Sequence, residues 1–281
     1  MRRNKSFTTT PFYLIATPIG NLKEITPRLI ETLNEVDFVA CEDTRVAAKL
    51  LNHLNIKKHL ISLFKHDEIE KSNLVLSLLK EGKKGAYLSD AGYPLISDPG
   101  SYLVNLLIEN DIYISVINGP SAFLPALVGS GLPTDKFFFY GFLPRKLNLS
   151  IEEINNLARR NETLIFYEAP HRIKKTITYL HKILGNRKIC LARELTKLNE
   201  EYIYGTLEEF LTFDYSTIKG EIVLIVEGNT KDVVEVVQEE HVRSVKLLIE
   251  KNYSLNEACK IVALLFNTNK NALYKKLTNP D

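Results

Sequence analysis

The sequence predicts an α/β protein built as two α/β domains followed by a small C-terminal helical segment. Three observations predict it. Over the first 118 residues, short β-rich runs alternate with helical runs, the pattern of βαβ units on a largely parallel sheet. Those β runs are almost continuously apolar, so helices are expected on both faces of the sheet. A second series of strands and helices follows the Gly/Pro-punctuated stretch "GLPTDK" (131–136), and beyond "GNTKD" (228–232) the pattern becomes purely helical. The expected division is therefore 1–118, 119–232 and 233–281.

In chain order, the first strands are read at "FYLIAT" (12–17), "DFVACE" (37–42), "HLISLF" (59–64), "GAYLSD" (85–90) and "YISVI" (113–117). Between them lie helical patterns such as "PRLIETLNEV" and "SNLVLSLLKEG". Thr26 before Pro27 reads as a helix N-cap followed by the first helical residue. The second series runs "FFFYGF", helix "SIEEINNLARRN", strand "TLIFYEA", helix "HRIKKTITYLHKILG", then "KICLARE", "EYIYGTL" and "GEIVLIVEG", which is a mixed sheet with helices. The tail gives "EEHVRSVKLLIEKN", "SLNEACKIVALLFN" and "NKNALYKKLTN", the second opened by a Ser254/Glu257 capping box. Three short helices with tight connections fit a helical cap, the favoured reading, or a helix-turn-helix.

A chain of 281 residues with 45% hydrophobic content has enough apolar side chain for a sizeable core. Lys plus Arg at 36 against Asp plus Glu at 34 is too balanced to mark a nucleic-acid binder by net charge, so local clusters have to carry any such role. Cys41, Cys190 and Cys259 are too scattered for a metal-ligand or disulfide pattern, which fits a reducing cytoplasm. The opening "MRRNKSFTTTP" is basic and polar, but the apolar "FYLIAT" after it is too short for a signal segment. No apolar run approaches the roughly 18 residues of a membrane span.

The chemistry is expected where the strands end. In open α/β sheets ligands bind beyond the carboxyl ends of the strands. Irregular loops carrying glycine, serine, threonine and aspartate follow three of them: "TPIGN", "SDAGYPLISDPG" and "NGPSA". One such loop is a turn; three at one end of one sheet make a cleft. None matches the dinucleotide or P-loop fingerprint, so the ligand is held by other means.

These loops belong to a longer ordered set: "YLIATPIGNLKEITPR", "CEDTR", "SDAGYPLISDPG", "GPSA", "GFLPRK", "FYEAPHR", "ARELTKLNEE" and "GEIVLIVEG". Through this set, over about residues 12–228, the chain resembles the tetrapyrrole-methylase superfamily, and within it the bacterial branch that methylates the ribose 2′-hydroxyl of a cytidine in small-subunit ribosomal RNA. The resemblance implies S-adenosylmethionine in a cleft between the two α/β domains. It also implies a cytoplasmic homodimer with small-subunit ribosomal RNA or the 30S subunit as partner, and neither a metal nor a membrane. Branch members usually carry proline where this chain has Asn118, which bears on the rigidity of that turn.

Under this likeness the donor is held largely by backbone, at Pro18, Gly20, Asp90, Ala91, Gly92, Ser121 and Ala122, with Tyr167, Gly220 and Val223 closing from the second domain. Asp90 taken alone reads equally well as an Asx-turn residue. In-line methyl transfer to a weakly acidic hydroxyl depends on positioning and is helped by a base. Asp43, Glu168 and His171 are the polar candidates, while Glu42 reads as an ion pair with Arg45. Arg145, Lys146, Arg172, Arg193 and Lys197 are expected to meet RNA phosphates. Tyr93 could stack on a base, and Tyr140 reads as core. Two alternatives share these features: a methylase of a tetrapyrrole or other small molecule, and a non-catalytic ribosome-assembly protein. The small-molecule enzyme has no need of the "RK" and "HR" clusters, and the scaffold has no need of the three loops.

Overall fold

A computed structural model describes residues 11–63, 67–230, 239–266 and 268–278. The chain divides into two compact units, Met1–Gly228 and Asn229–Asp281. The first ten residues, Phe64 of the third strand run, 231–238 across the expected second boundary, and Asn267 and Asn279 of the tail runs lie outside the described residues.

The first sheet contains β1 (Phe12–Ile15), β2 (Phe38–Cys41), β3 (His59–Ser62), β4 (Gly85–Leu88) and β5 (Ile114–Ile117). All are parallel, in the order β3-β2-β4-β1-β5. Helices α1 (Pro27–Glu35), α2 (Thr44–His53), α3 (Glu68–Lys80) and α4 (Ser101–Glu109) connect them. Every residue of β1, β2 and β4 is buried. Alternate side chains go to opposite faces: Tyr13 and Ile15 pack with Leu29, Leu33 and Leu50, while Phe12 and Leu14 pack with Val75, Leu103 and Leu107. Each such side chain contributes about 1.5–3 kcal/mol through burial, which is why the strands read as unbroken apolar runs. Thr26 Oγ1 accepts the Leu29 N–H at 3.2 Å and Pro27 opens α1, as the sequence predicts.

Helix α5 (Phe123–Gly129) then leads to a second, mixed sheet. It contains β6 (Phe137–Phe142), β7 (Thr163–Glu168), β8 (Lys188–Arg193), β9 (Glu201–Thr206) and β10 (Ile222–Val226) in the order β6-β7-β10-β8-β9. Of its strand pairings only β6–β7 is parallel. Helices α6 (Ile151–Arg159), α7 (Ile173–Leu184) and α8 (Leu207–Leu211) cover it, and capping boxes open α6 at Ser150/Glu153 and α8 at Thr206/Glu209. An apolar cluster joins Ile19, beyond β1, to Ala126 and Leu127 of α5 and to Ile165 and Val223 of the second sheet, so the strand-end loops of the first sheet face the second.

In the second unit α9 (Glu239–Glu250), α10 (Leu255–Leu265) and α11 (Lys270–Thr278) pack around Val245, Cys259, Val262 and Leu273. The Ser254/Glu257 box is present, with Glu257 N donating to Ser254 Oγ at 3.3 Å. Among the described residues no helix is long and apolar enough to cross a membrane.

Candidate functional site

The three strand-end loops are bonded to one another. Thr17 and Gly92 exchange backbone hydrogen bonds of 2.9 and 3.0 Å, joining the loop after β1 to the loop after β4. Buried Thr17 also donates through Oγ1 to the Ser89 carbonyl at 3.1 Å, and Ser89 Oγ donates to the Gly92 carbonyl at 2.8 Å. The loop after β5 is tied in by Tyr93, whose hydroxyl donates to Asn118 Oδ1 at 3.4 Å and accepts the Gly119 N–H at 3.3 Å. Asn118 therefore ties its turn to Tyr93 through its side chain. Tyr140 packs as core against Phe166, ring centroids 5.5 Å apart.

The long loop 88–100 is strained and clamped. Leu95 and Ser97 sit at φ +71° and +70°, a left-handed conformation that costs roughly 1–3 kcal/mol for a residue with a side chain. The segment just beyond them is pinned. Tyr87 Oη donates to the Pro99 carbonyl at 2.9 Å, and Glu68 Oε1 accepts the N–H groups of Gly100 and Tyr102 at 3.0 and 3.1 Å.

Between these loops and the second sheet lies a cavity of about 400 Å³, within the range of about 300–1,000 Å³ typical of small-molecule sites. Ala91, Gly92, Ser121 and Ala122 line it from the first sheet, and Tyr167 and Val223 from the second. Pro18, Gly20, Asp90 and Gly220 do not. Asp90 Oδ1 accepts the Asp43 N–H at 3.1 Å and so joins the loop after β4 to the end of β2. Gly20 and Gly220 leave room for other side chains: a Cβ on Gly20 would lie 2.5 Å from the Lys197 stem, and one on Gly220 would overlap the Glu194 carboxylate. The sequence reading singles out none of Ser97, Asp98 and Phe142, all in the lining. The one available signal was that Ser97 and Asp98 share the loop "SDAGYPLISDPG" with Ala91 and Gly92.

The cavity is acidic on the side of the first sheet. Burial, then the nearby Glu42 and Asp90 carboxylates, push Asp98 up to about 7. Burial and neighbouring acids also raise Glu42 and Asp90. Burial pushes the Tyr167 hydroxyl up to about 12, so it stays protonated near neutrality. No lysine, arginine or histidine lines the cavity among the described residues. Ile19, Phe123, Leu124, Phe142 and Val223 give the cavity an apolar wall, so it suits a ligand carrying a sizeable apolar body.

Arg45 pairs with Asp43, at 2.6 Å, and not with Glu42. Asp43 is the N-cap of α2, so its carboxylate already accepts the Arg45 N–H at 2.8 Å and the guanidinium follows. These bonds hold the Asp43 carboxyl down at about 2, which makes it a weak base. Glu168 is buried at the end of β7 and lines the cavity, but both its oxygens are engaged. Oε1 accepts the Ala169 N–H at 2.8 Å and faces Arg172 Nε at 3.4 Å, while Oε2 accepts the Thr176 hydroxyl. His171 is exposed in the turn before α7 and outside the lining.

Three of the cations expected to meet phosphate are already paired. Arg172 bridges Glu168 and the carbonyls of Leu143 and Pro144, at 3.0 and 3.2 Å. Arg193 pairs across strands with Glu201 at 2.6 Å, and Lys197 pairs with Glu194 and Glu221 at 2.9 and 3.0 Å. A cation so held would have to leave its carboxylate to meet phosphate. Arg145 and Lys146 are exposed, three and four residues beyond the cavity residue Phe142.

A parallel sheet thus faces a mixed sheet across a cavity built from strand-end loops, a two-lobed α/β architecture. Residues 11–211 match the family of Tetrapyrrole (Corrin/Porphyrin) Methylases, and the chain belongs to that family. It is 44% identical over 268 residues to "Ribosomal RNA small subunit methyltransferase I" of Haemophilus influenzae, covering 94% of each chain. It is 39% identical over 287 residues to the protein of the same name from Bacillus subtilis, covering 98% of this chain and 97% of that one. The crystal structure of the methyltransferase CobJ superposes with TM-score 0.59 at 18% identity, covering 79% of this chain and 95% of that one, a likeness of fold. The chain is an enzyme, a methyltransferase that uses S-adenosylmethionine as methyl donor.

Proposed function

We propose that this methyltransferase acts on small-subunit ribosomal RNA, at the ribose 2′-hydroxyl of a cytidine, and that it works in the cytoplasm as a homodimer. The observation that carries the reading is identity of about 40% along nearly the whole chain to relatives named for small-subunit ribosomal RNA. We divide the first unit at residue 118, between the parallel sheet and the lobe that closes over it.

When bound, the sulfonium donor supplies an electrophilic methyl group. Ala91, Gly92, Ser121 and Ala122 would hold it through short side chains and backbone, and Tyr167 and Val223 would shut the cavity from the other lobe and exclude water. Asp90 contributes through the Asp43 backbone by fixing the loop after β4. Arg145 and Lys146 are the phosphate contacts, on a segment anchored by Arg172 through the Leu143 and Pro144 carbonyls. His171 is a further candidate to meet the RNA.

Mapping 2′-O-methyl marks in ribosomal RNA from a strain lacking this protein tests the reading. The expected result is the loss of one mark, at a small-subunit cytidine. An unchanged map, or transfer of labelled methyl to porphyrin precursors and not to small subunits, would replace it. Charge reversal at both Arg145 and Lys146 is expected to weaken RNA binding and to lower the slope of log affinity against log salt by about two, with donor affinity unchanged. Equal slopes would remove these residues from the phosphate contacts.

A further inference from the structure

Three carboxylates line the cavity among the described residues: Asp98, Glu168 and Glu221. Glu168 has both oxygens engaged, and Glu221 turns outward to Lys197 with its side chain 72% exposed. Asp98 has neither a hydrogen-bond partner nor an ion-pair partner among the described residues. The backbone beside it is nevertheless held, with Ser97 in the left-handed region before it and Pro99 and Gly100 bonded to Tyr87 and Glu68 after it. A fixed backbone carrying an unengaged carboxylate into a cavity is the arrangement of a group kept for a ligand.

We propose that Asp98 is the catalytic base, accepting the proton of the acceptor hydroxyl as the methyl group is transferred. The proposal rests on the reading of function above. The proton passes from the acceptor oxygen to the Asp98 carboxylate, the freed oxygen pair forms the new bond to the methyl carbon, and the pair of the broken carbon–sulfur bond stays on sulfur. The titratable groups facing Asp98 are Glu42 at the end of β2, Asp90 and Tyr87 from the β4 region, and Tyr167 on β7. Burial, then the Glu42 and Asp90 carboxylates, bring Asp98 to about 7, where a base is both available and effective near neutral pH. Asp43, held near 2, is a far weaker base.

The test is Asp98→Asn in the full chain. Turnover on small subunits is expected to fall roughly 100-fold or more, with S-adenosylmethionine affinity by calorimetry within about threefold of wild type. Wild-type kcat/KM should rise with pH through about 7, and the variant should lose that limb. In the folded protein Asp98 keeps its proton up to about pH 7, whereas the unfolded chain releases it near ~4. Folding therefore takes up a proton between those values, and stability lost to burying the carboxylate is lost in full above pH 7. The variant should accordingly melt above wild type at pH 8 and level with it at about pH 4. Unchanged turnover, a parallel loss of donor affinity, or a lower melting point at pH 8 would each overturn the proposal. So would a flat wild-type profile from pH 6 to 8.5, whatever the variant does. A wild type silent on small subunits would overturn the function itself, and is distinguishable because it appears without any substitution.

Discussion

Glu168→Ala is expected to cost about 3–5 kcal/mol of stability, lowering the melting temperature by roughly 6–20 °C. The side chain is 1% exposed, and its carboxylate answers three groups at once: the Ala169 N–H, the Thr176 hydroxyl and the Arg172 guanidinium. Alanine leaves the amide and hydroxyl without an acceptor and strands a cation whose side chain is 18% exposed. The damage extends to the segment carrying Arg145 and Lys146, because Arg172 also holds the carbonyls that precede it. Glutamine keeps an acceptor for the Ala169 N–H and should cost less. Thermal unfolding followed by circular dichroism measures both. An alanine variant that melts within about 2 °C of wild type would remove Glu168 from the frame of the site, and a glutamine variant that melts like wild type yet transfers no methyl would make it part of the chemistry.

Gly119→Ala is expected to weaken S-adenosylmethionine binding at least about tenfold, or about 1.4 kcal/mol, and to cost a further 1–3 kcal/mol or so of stability. A Cβ at this position would stand 2.7 Å from the Ala16 carbonyl oxygen and 3.0 Å from the Ala16 Cβ. Ala16 lies immediately after β1, so no flexible side chain can yield and the loop itself must lift. Lifting it breaks the Gly119 N–H bond to Tyr93 and carries Ser121 and Ala122 away from the cavity they line. Calorimetric titration with the donor is the measurement; wild-type affinity would show that the loop after β5 is not part of the donor's seat.

Both effects depend on contacts between segments distant in the chain, which is where sequence reading and structure diverge. Strands read from apolar runs and helices read from their period appear with ends displaced by a few residues, because those signals are local. The Thr26 and Ser254 caps were readable for the same reason, their bonds closing within three residues. Helix α5 lies in a segment for which the sequence reading names no element; its Pro125 is the third helical residue, in the first turn, where the N–H has no intrahelical acceptor to lose. Helix α8 is only five residues long, and its Thr206/Glu209 box is the sole mark of its start.

The sequence by itself determined the two α/β halves, the helical tail, and the three loops that converge. Alternation, punctuation and capping act over a few residues and leave a pattern in the order of the chain. Tertiary structure alone decided which carboxylates are engaged and which is left facing the cavity. Of the two aspartates in "SDAGYPLISDPG", Asp90 accepts a backbone amide from the end of β2 and Asp98 has no such partner. Nothing in the neighbouring letters separates them, because burial and like-charge repulsion are set by Glu42 and by the packing of strands far apart in sequence.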